Sequence, residues 1–256
     1  MFMTDKKQYF FLNGVPRAGN TLLATILNQN PDMQVSANSL VPELLHHIHL
    51  TKSGDVFRNF PDHKSLDNVI ENIIPNYYKD WNYKYIIDRS NVGMEDTLPL
   101  LSKYFKNPLK IIVLDRALED VISSYIKVYK NWNLSVEEQL KNLSLPTTTF
   151  SRGVASVKNL SRPEFKDITH FVTYSDLVGN TKKTIKGIYE FLEIPQYNHY
   201  FTNLNKFSAN GMVYNDDFYL ESKVKVNLHD IKTEDISFTE HNQLPENILN
   251  MVQNVN

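Results

Sequence analysis

Arg17, Thr21 and the backbone around Gly19 are the first residues in this chain whose types and spacing could do chemistry. They lie in Tyr9–Asn30, YFFLNGVPRAGNTLLATILNQN. Gly14, Gly19 and Thr21 keep register with the nucleotide-binding pattern G-x-x-x-x-G-K-[ST]. Asn20 stands where that pattern has its Lys, and a cation, Arg17, comes three residues earlier. An ATP or GTP enzyme without the Lys loses its grip on the β- and γ-phosphates, so the loop reads as built for a different anion. The backbone N–H groups of Ala18, Gly19, Asn20, Thr21 and Leu22 fall where a turn delivers a helix N-terminus. Unpaired N–H groups at the positive end of a helix dipole bind phosphate or sulfate.

A second group follows about a hundred residues on. Arg116 opens Arg-Ala-Leu-Glu-Asp-Val-Ile-Ser-Ser124, so Ser124 falls two helical turns beyond it. An Arg and a hydroxyl presented in this way grip one phosphate by charge and hydrogen bonding. Taken alone, an Arg after a strand is more often half of a surface ion pair. Together with the upstream turn, it predicts a bipartite anion site.

The elements that must position these groups alternate. Tyr9–Leu12 is a short apolar run of the kind that forms a parallel strand covered on both faces. Further strands are expected near Met33–Ser36, Tyr83–Asp88, Leu109–Asp115 and His170–Tyr174, each ending in polar residues. Leu118–Tyr129 and Thr181–Leu192 carry helical apolar stripes. Ser135-Val-Glu-Glu138 is a capping box that starts a short helix, Leu145–Phe150 reads as a loop, and Arg152–Leu160 as another helix. Such alternation predicts an α/β fold with a central, mostly parallel sheet flanked by helices, with ligands at the carboxyl ends of the strands. One domain is expected over residues 1–256, with 131–168 a helical insertion on the acceptor side. Residues 197–256, rich in Asn, Asp and Lys, are expected to be irregular, with a loop over the site one option.

Composition narrows the class. With 27 Lys and Arg against 29 Asp and Glu, the net charge is −2, so no global basic field points to nucleic acid. The absence of Cys removes disulfides and thiolate zinc sites. No window approaches the ~20 apolar residues of a membrane span, and the N-terminus lacks a secretory pattern. A soluble, cytoplasmic protein is the expectation.

At this point the chain resembles the PAPS-dependent sulfotransferases, whose donor is 3′-phosphoadenosine 5′-phosphosulfate (PAPS) and whose product is the desulfated nucleotide PAP. Pro16-Arg17-Ala18-Gly19-Asn20-Thr21 fits the family's P-[KR]-x-G-x-[ST] loop. Leu22-Leu23 and Asn30-Pro31 look most like the tyrosylprotein and bacterial branches. Arg116, Asp120, Val121 and Ser124 match the family's 3′-phosphate motif, and Val172-Thr-Tyr174-Ser-Asp-Leu-Val178 is similar to its Y-E-x-L-V segment. The resemblance covers roughly residues 8–195. It implies a P-loop-like three-layer sandwich, PAPS as donor without a divalent metal, and a hydroxyl-bearing acceptor. It also implies Arg17 at the transferring group, Arg116 and Ser124 at the 3′-phosphate, and Tyr174 on the adenine side. The rival readings are a P-loop kinase or NTPase and a PAPS- or PAP-binding protein without catalysis.

The pattern breaks at the catalytic base. The Glu used in the tyrosylprotein branch falls on Asn38, which cannot accept a full proton. Asp88, at a strand end beside Arg89, and Glu43, on the next helical segment, are the substitutes weighed first. His46, His47 and His49 read more readily as packing or surface residues than as bases, and their spacing makes a poor metal site. Lys182 and Lys183 read as a solvated helix end, and the family resemblance makes Lys223 and Lys225 candidates for a basic loop closing over the donor. Trp132, Tyr129 and Phe150 lie in the segment expected to meet an acceptor.

Overall fold

The computed structural model describes residues 7–128 and 135–216, together with His229 and Ile236. Five strands carry the fold: β1 (Gln8–Gly14), β2 (Met33–Val35), β3 (Tyr85–Arg89), β4 (Ile111–Asp115) and β5 (Thr169–Thr173). They pair in the order β2-β3-β1-β4-β5, and every pairing is parallel. β1 is central, with Phe10 opposite Ile87 and Phe11 opposite Ile111. Phe11, Leu12, Ile86, Ile87 and the run Ile111–Leu114 are fully buried. Each large side chain so buried contributes about 1.5–3 kcal/mol, which is why these strands read as unbroken apolar runs rather than alternating ones.

Helices link and flank the strands. Between β1 and β2 runs α1 (Asn20–Leu27). Between β2 and β3 come α2 (Val41–Leu50), α3 (Asp55–Asn59), α4 (His63–Glu71) and α5 (Ile73–Tyr77). Then follow α6 (Leu98–Tyr104), α7 (Leu118–Val128), α8 (Val136–Leu143) and α9 (Thr149–Leu160), and after β5 come α10 (Tyr174–Gly179) and α11 (Thr181–Leu192). The expected α/β architecture is the one observed. Among the described residues, no helix is long and apolar enough to cross a membrane.

Local chemistry explains where elements start. Ser135 and Glu138 form a reciprocal capping box at α8, as its sequence predicts. Leu145–Phe150 is not wholly a loop: α9 begins at Thr149, because Thr148 Oγ1 accepts from the Ser151 N–H and so caps the helix. Tyr174 is likewise not the end of a strand. Thr173 caps the Asp176 N–H and makes Tyr174 the first residue of α10.

The topology decides where the crevice opens. The connection after β1 runs outward to β2 on one side of the sheet, and the connection after β4 runs to β5 on the other. Adjacent strands whose connections diverge leave a crevice at their carboxyl ends. Here that crevice lies between Gly14, at the end of β1, and Asp115-Arg116, at the end of β4.

Beyond α11 the described chain has little regular structure, but it is anchored. Gln29 exchanges two hydrogen bonds with the Tyr200 backbone, and Asn28 Nδ2 donates to Ser208 O. Leu204, Phe207 and Ala209 are buried. This path returns Tyr214 to the carboxyl end of β3. Lys223, Lys225, Tyr129 and Trp132 lie outside the described residues.

Candidate active site

The loop from Gly14 to Asn20 is built from the inside. Asn20 turns its side chain away from the crevice and donates from Nδ2 to Val15 O at 2.8 Å. The Ala18 N–H is also spent within the turn, on Val15 O. α1 starts at Asn20 with Gly19 as N-cap, and no side chain caps it, so its first-turn N–H groups (Asn20, Thr21, Leu22) face the crevice without a side-chain acceptor. From below, α9 presses on the loop: a Cβ on Gly153 would lie 2.8 Å from Pro16 Cδ. Ser156 Oγ donates to Asn13 Oδ1 at 2.6 Å, tying the same helix to the end of β1. Residues expected as an insertion thus include the helix that buttresses the loop.

Two loop residues have left-handed backbones, Gly19 (φ 99°) and Arg17 (φ 70°). For Gly this is free. For Arg it costs of order 1–3 kcal/mol unless the surroundings hold it, and here they do. Arg116 Nη1 donates to Arg17 O at 3.0 Å, and Arg17 Nε donates to Ser124 Oγ at 3.1 Å. The Arg116 guanidinium lies flat over the Tyr174 ring, 3.9 Å from its centroid, and 3.8 Å from Asp120. Burial pulls the Arg116 pKa down, and Tyr174 and Asp120 work against that. Tyr174 in turn packs on Gly19, where a Cβ would come within 2.8 Å of its ring. Arg17, Gly19, Thr21, Arg116, Ser124 and Tyr174 therefore share one wall of the crevice, although they come from three distant stretches of sequence.

The two carboxylates considered as bases have other partners in the structure. Asp88 is 1% exposed. Its Oδ2 accepts from Tyr78 OH at 2.6 Å, and its Oδ1 accepts from Ser90 Oγ. Burial raises its pKa, and the hydroxyls of Ser39, Ser90 and Tyr78 oppose that rise. Asp88 thus ties Tyr78 and Ser90 to the end of β3, with both carboxylate oxygens accepting hydrogen bonds there. Glu43, on α2, pairs with Arg152 of α9 at 3.3 Å. The histidines of α2 have local partners: His46 lies 3.5 Å from Asp96, His47 Nδ1 contacts Glu43 O, and His49 packs near Tyr104. Asn38 is exposed, and Lys182 and Lys183 are solvated as expected.

Arg89 is the residue that sequence reading passed over. It is the last residue of β3, at the carboxyl end of the strand, where the crevice of such a sheet opens. Its Nη1 donates to Thr21 Oγ1 at 3.4 Å and to Tyr214 OH at 2.5 Å. Its place at the end of a strand was the available signal. Tyr214 brings further groups with it. His229 stacks on its ring, with centroids 3.4 Å apart and planes within 4°, and His229 Nδ1 lies 2.6 Å from Asp216 Oδ1. Nothing in the spacing of Asp216 and His229 announces that pairing.

A family model described as the sulfotransferase family matches residues 10–199. The chain belongs to the sulfotransferase family. Comparison with curated proteins finds no match. Among solved structures, this sulfotransferase is similar to the sulfotransferase domain from the curacin biosynthetic pathway, at 18% identity and TM-score 0.48 over 75% of each chain. It is also similar to a sulfotransferase from Alicyclobacillus acidocaldarius, at 15% identity and TM-score 0.49 over 84% of this chain and 89% of that one. A mouse sulfotransferase complexed with PAP aligns at 17% identity and TM-score 0.47, over 75% of this chain and 61% of that one. The family match spans both motifs of this wall; Tyr214, Asp216 and His229 lie beyond it.

Proposed function

We propose that this sulfotransferase moves a sulfuryl group from PAPS to a hydroxyl-bearing acceptor by in-line displacement. One observation carries the reading: the loop motif and the Arg–Ser motif are joined into a single cationic wall through Arg17 Nε to Ser124 Oγ and Arg116 Nη1 to Arg17 O. A donor with an anionic group at both its 5′ and 3′ positions suits such a wall. In this reading the N–H groups of Gly19 to Leu22 and the Thr21 hydroxyl hold the phosphosulfate oxygens. Arg17 spans the 5′-phosphate and the departing sulfuryl group, Arg116 and Ser124 take the 3′-phosphate, and Tyr174 lies on the adenine side. Arg89, held by Thr21 and Tyr214, adds a second cation where charge accumulates. Preorganised donors of this kind are worth about 10²–10³ in kcat each. Arg17, Thr21 and Arg89 are the residues to which we assign that effect.

Thermal stability with PAP, set against ATP plus Mg²⁺, tests the donor. A ligand at about a hundred times its Kd adds ~2.7 kcal/mol. Stabilisation by PAP without metal, lost in Arg116→Ala, is the expected result. Stabilisation by ATP and Mg²⁺ alone overturns the reading in favour of a kinase-like enzyme.

A further inference from the structure

We propose that His229, oriented by Asp216, is the general base that takes the acceptor's proton. The inference rests on the PAPS-dependent reading above and assigns a catalytic role to a segment outside the family match.

The geometry has the parts a positioned base requires. Asp216 holds His229 at two points: Oδ1 lies 2.6 Å from Nδ1, and Oδ2 accepts the His229 backbone N–H at 3.3 Å. A carboxylate at Nδ1 fixes the proton there and leaves the Nε2 lone pair free. The ring cannot swing, because it lies flat on Tyr214. Tyr214 packs on Phe207 and accepts from Arg89, and Arg89 reaches Thr21 in the anion-binding loop. The imidazole is thereby tied, through two side chains, to the place where the sulfuryl group would sit.

Charge supports the same assignment. Among the described residues, the groups facing His229 are Asp216, Tyr214, Arg89 and Arg17. Burial lowers the imidazole pKa, Asp216 opposes this, and the two arginines lower it further. The ring is then neutral, and able to accept a proton, at physiological pH. Neither rival carboxylate has such a link to the loop: Asp88 is buried and bonded to Tyr78 and Ser90, and Glu43 meets Arg152 through Oε1 and leaves Oε2 buried without a partner.

The step balances as follows. The acceptor oxygen forms a bond to sulfur while the bond from sulfur to the 5′-phosphate oxygen breaks, and that oxygen keeps the electron pair as PAP departs. The acceptor proton passes to His229 Nε2, and the imidazolium later returns it to water.

The test uses the full chain with water as the universal acceptor, measuring single-turnover conversion of PAPS to PAP and sulfate. His229→Gln and Asp216→Asn are compared with the parent. The expected result is a fall of ~10²–10⁴-fold in His229→Gln, with thermal stabilisation by PAP retained and the acidic limb of the pH–rate profile gone. Asp216→Asn should keep that limb but shift it to lower pH. Conversion within a few-fold of the parent, or an unchanged limb in His229→Gln, overturns the assignment. Failure of PAP to stabilise the parent sinks the donor reading instead, so the two failures are distinguishable. Should His229→Gln not fold, or should the parent not turn PAPS over in water, imidazole ¹⁵N NMR of the parent decides. The Nδ1–H tautomer at pH 7, with Nε2 perturbed by PAP, supports the proposal. An imidazolium or the Nε2–H tautomer at pH 7 overturns it.

Discussion

Arg116 Nη1 hydrogen-bonds the carbonyl oxygen of Arg17, 99 residues earlier, at 3.0 Å. The bond links two motifs that a sequence presents as separate and makes one the support of the other. Arg17 holds a left-handed backbone, and the guanidinium that braces it is itself nearly buried and stacked on Tyr174. Changes at Arg116 should therefore be felt at both ends of the site.

Arg116→Ala is expected to lower stability as well as donor affinity. A hydrogen bond from a charged group is worth about 1.5–3 kcal/mol, and the Tyr174 stack is lost with it. Arg116→Lys should recover little of either, because an ammonium has neither the planar face nor the fork. Denaturant melts with and without PAP measure both effects. A full rescue by Lys contradicts this account of the bond.

Gly19→Ala combines two penalties, a φ of 99° and a Cβ driven to within 2.8 Å of the Tyr174 ring. The backbone penalty alone is of order 1–3 kcal/mol. Adding Tyr174→Ala removes only the clash, so the double variant should be more stable than the sum of the two single changes predicts. A double-mutant cycle reads this directly. Strict additivity shows that the ring does not confine position 19.

Asp88→Asn tests a structural role against a catalytic one. It should leave PAPS conversion within a few-fold of the parent, since both carboxylate oxygens are already hydrogen-bonded. Its pH signature follows from sign. Burial holds the folded pKa above the ordinary 3.8, so the folded state holds this proton more tightly than the unfolded one. That contribution is complete below 3.8 and is lost as pH rises through the folded value. The Tm difference should therefore move toward the variant as pH goes from 4 to 7. A large fall in conversion with unchanged stability makes Asp88 catalytic after all.

Gly153→Val should act on the site from beneath. The added side chain meets Pro16 Cδ, which a bare Cβ already approaches to 2.8 Å, so the loop must shift or α9 must withdraw. Weaker PAP binding is expected, by about tenfold, with overpacking costing ~1–3 kcal/mol in stability. Calorimetric titration with PAP checks it. Unchanged affinity means that α9 does not set the loop's position.

Much of this protein follows from its sequence alone. The apolar runs around Phe11, Ile87 and Ile112 specify strands because only a doubly covered parallel sheet hides such runs. Their alternation with helical stripes then leaves few topologies. Ser135 with Glu138 marks a helix start for the same local reason in any fold. The two motifs of the proposed donor site were equally legible, since Pro16–Thr21 and Arg116–Ser124 are contiguous stretches whose hydrogen-bonding groups lie near in the chain. What only the tertiary structure decided is everything that depends on distance across the chain. Strand order places Gly14 beside Arg116. Burial sets Asp88 among the hydroxyls of Tyr78 and Ser90, and Arg89 meets Thr21 and Tyr214. The described chain after α11 brings Tyr214 and Asp216 back to Arg89, and His229 stacks on Tyr214 there. No period or motif encodes that last arrangement, because it rests on contacts between side chains far apart in the chain.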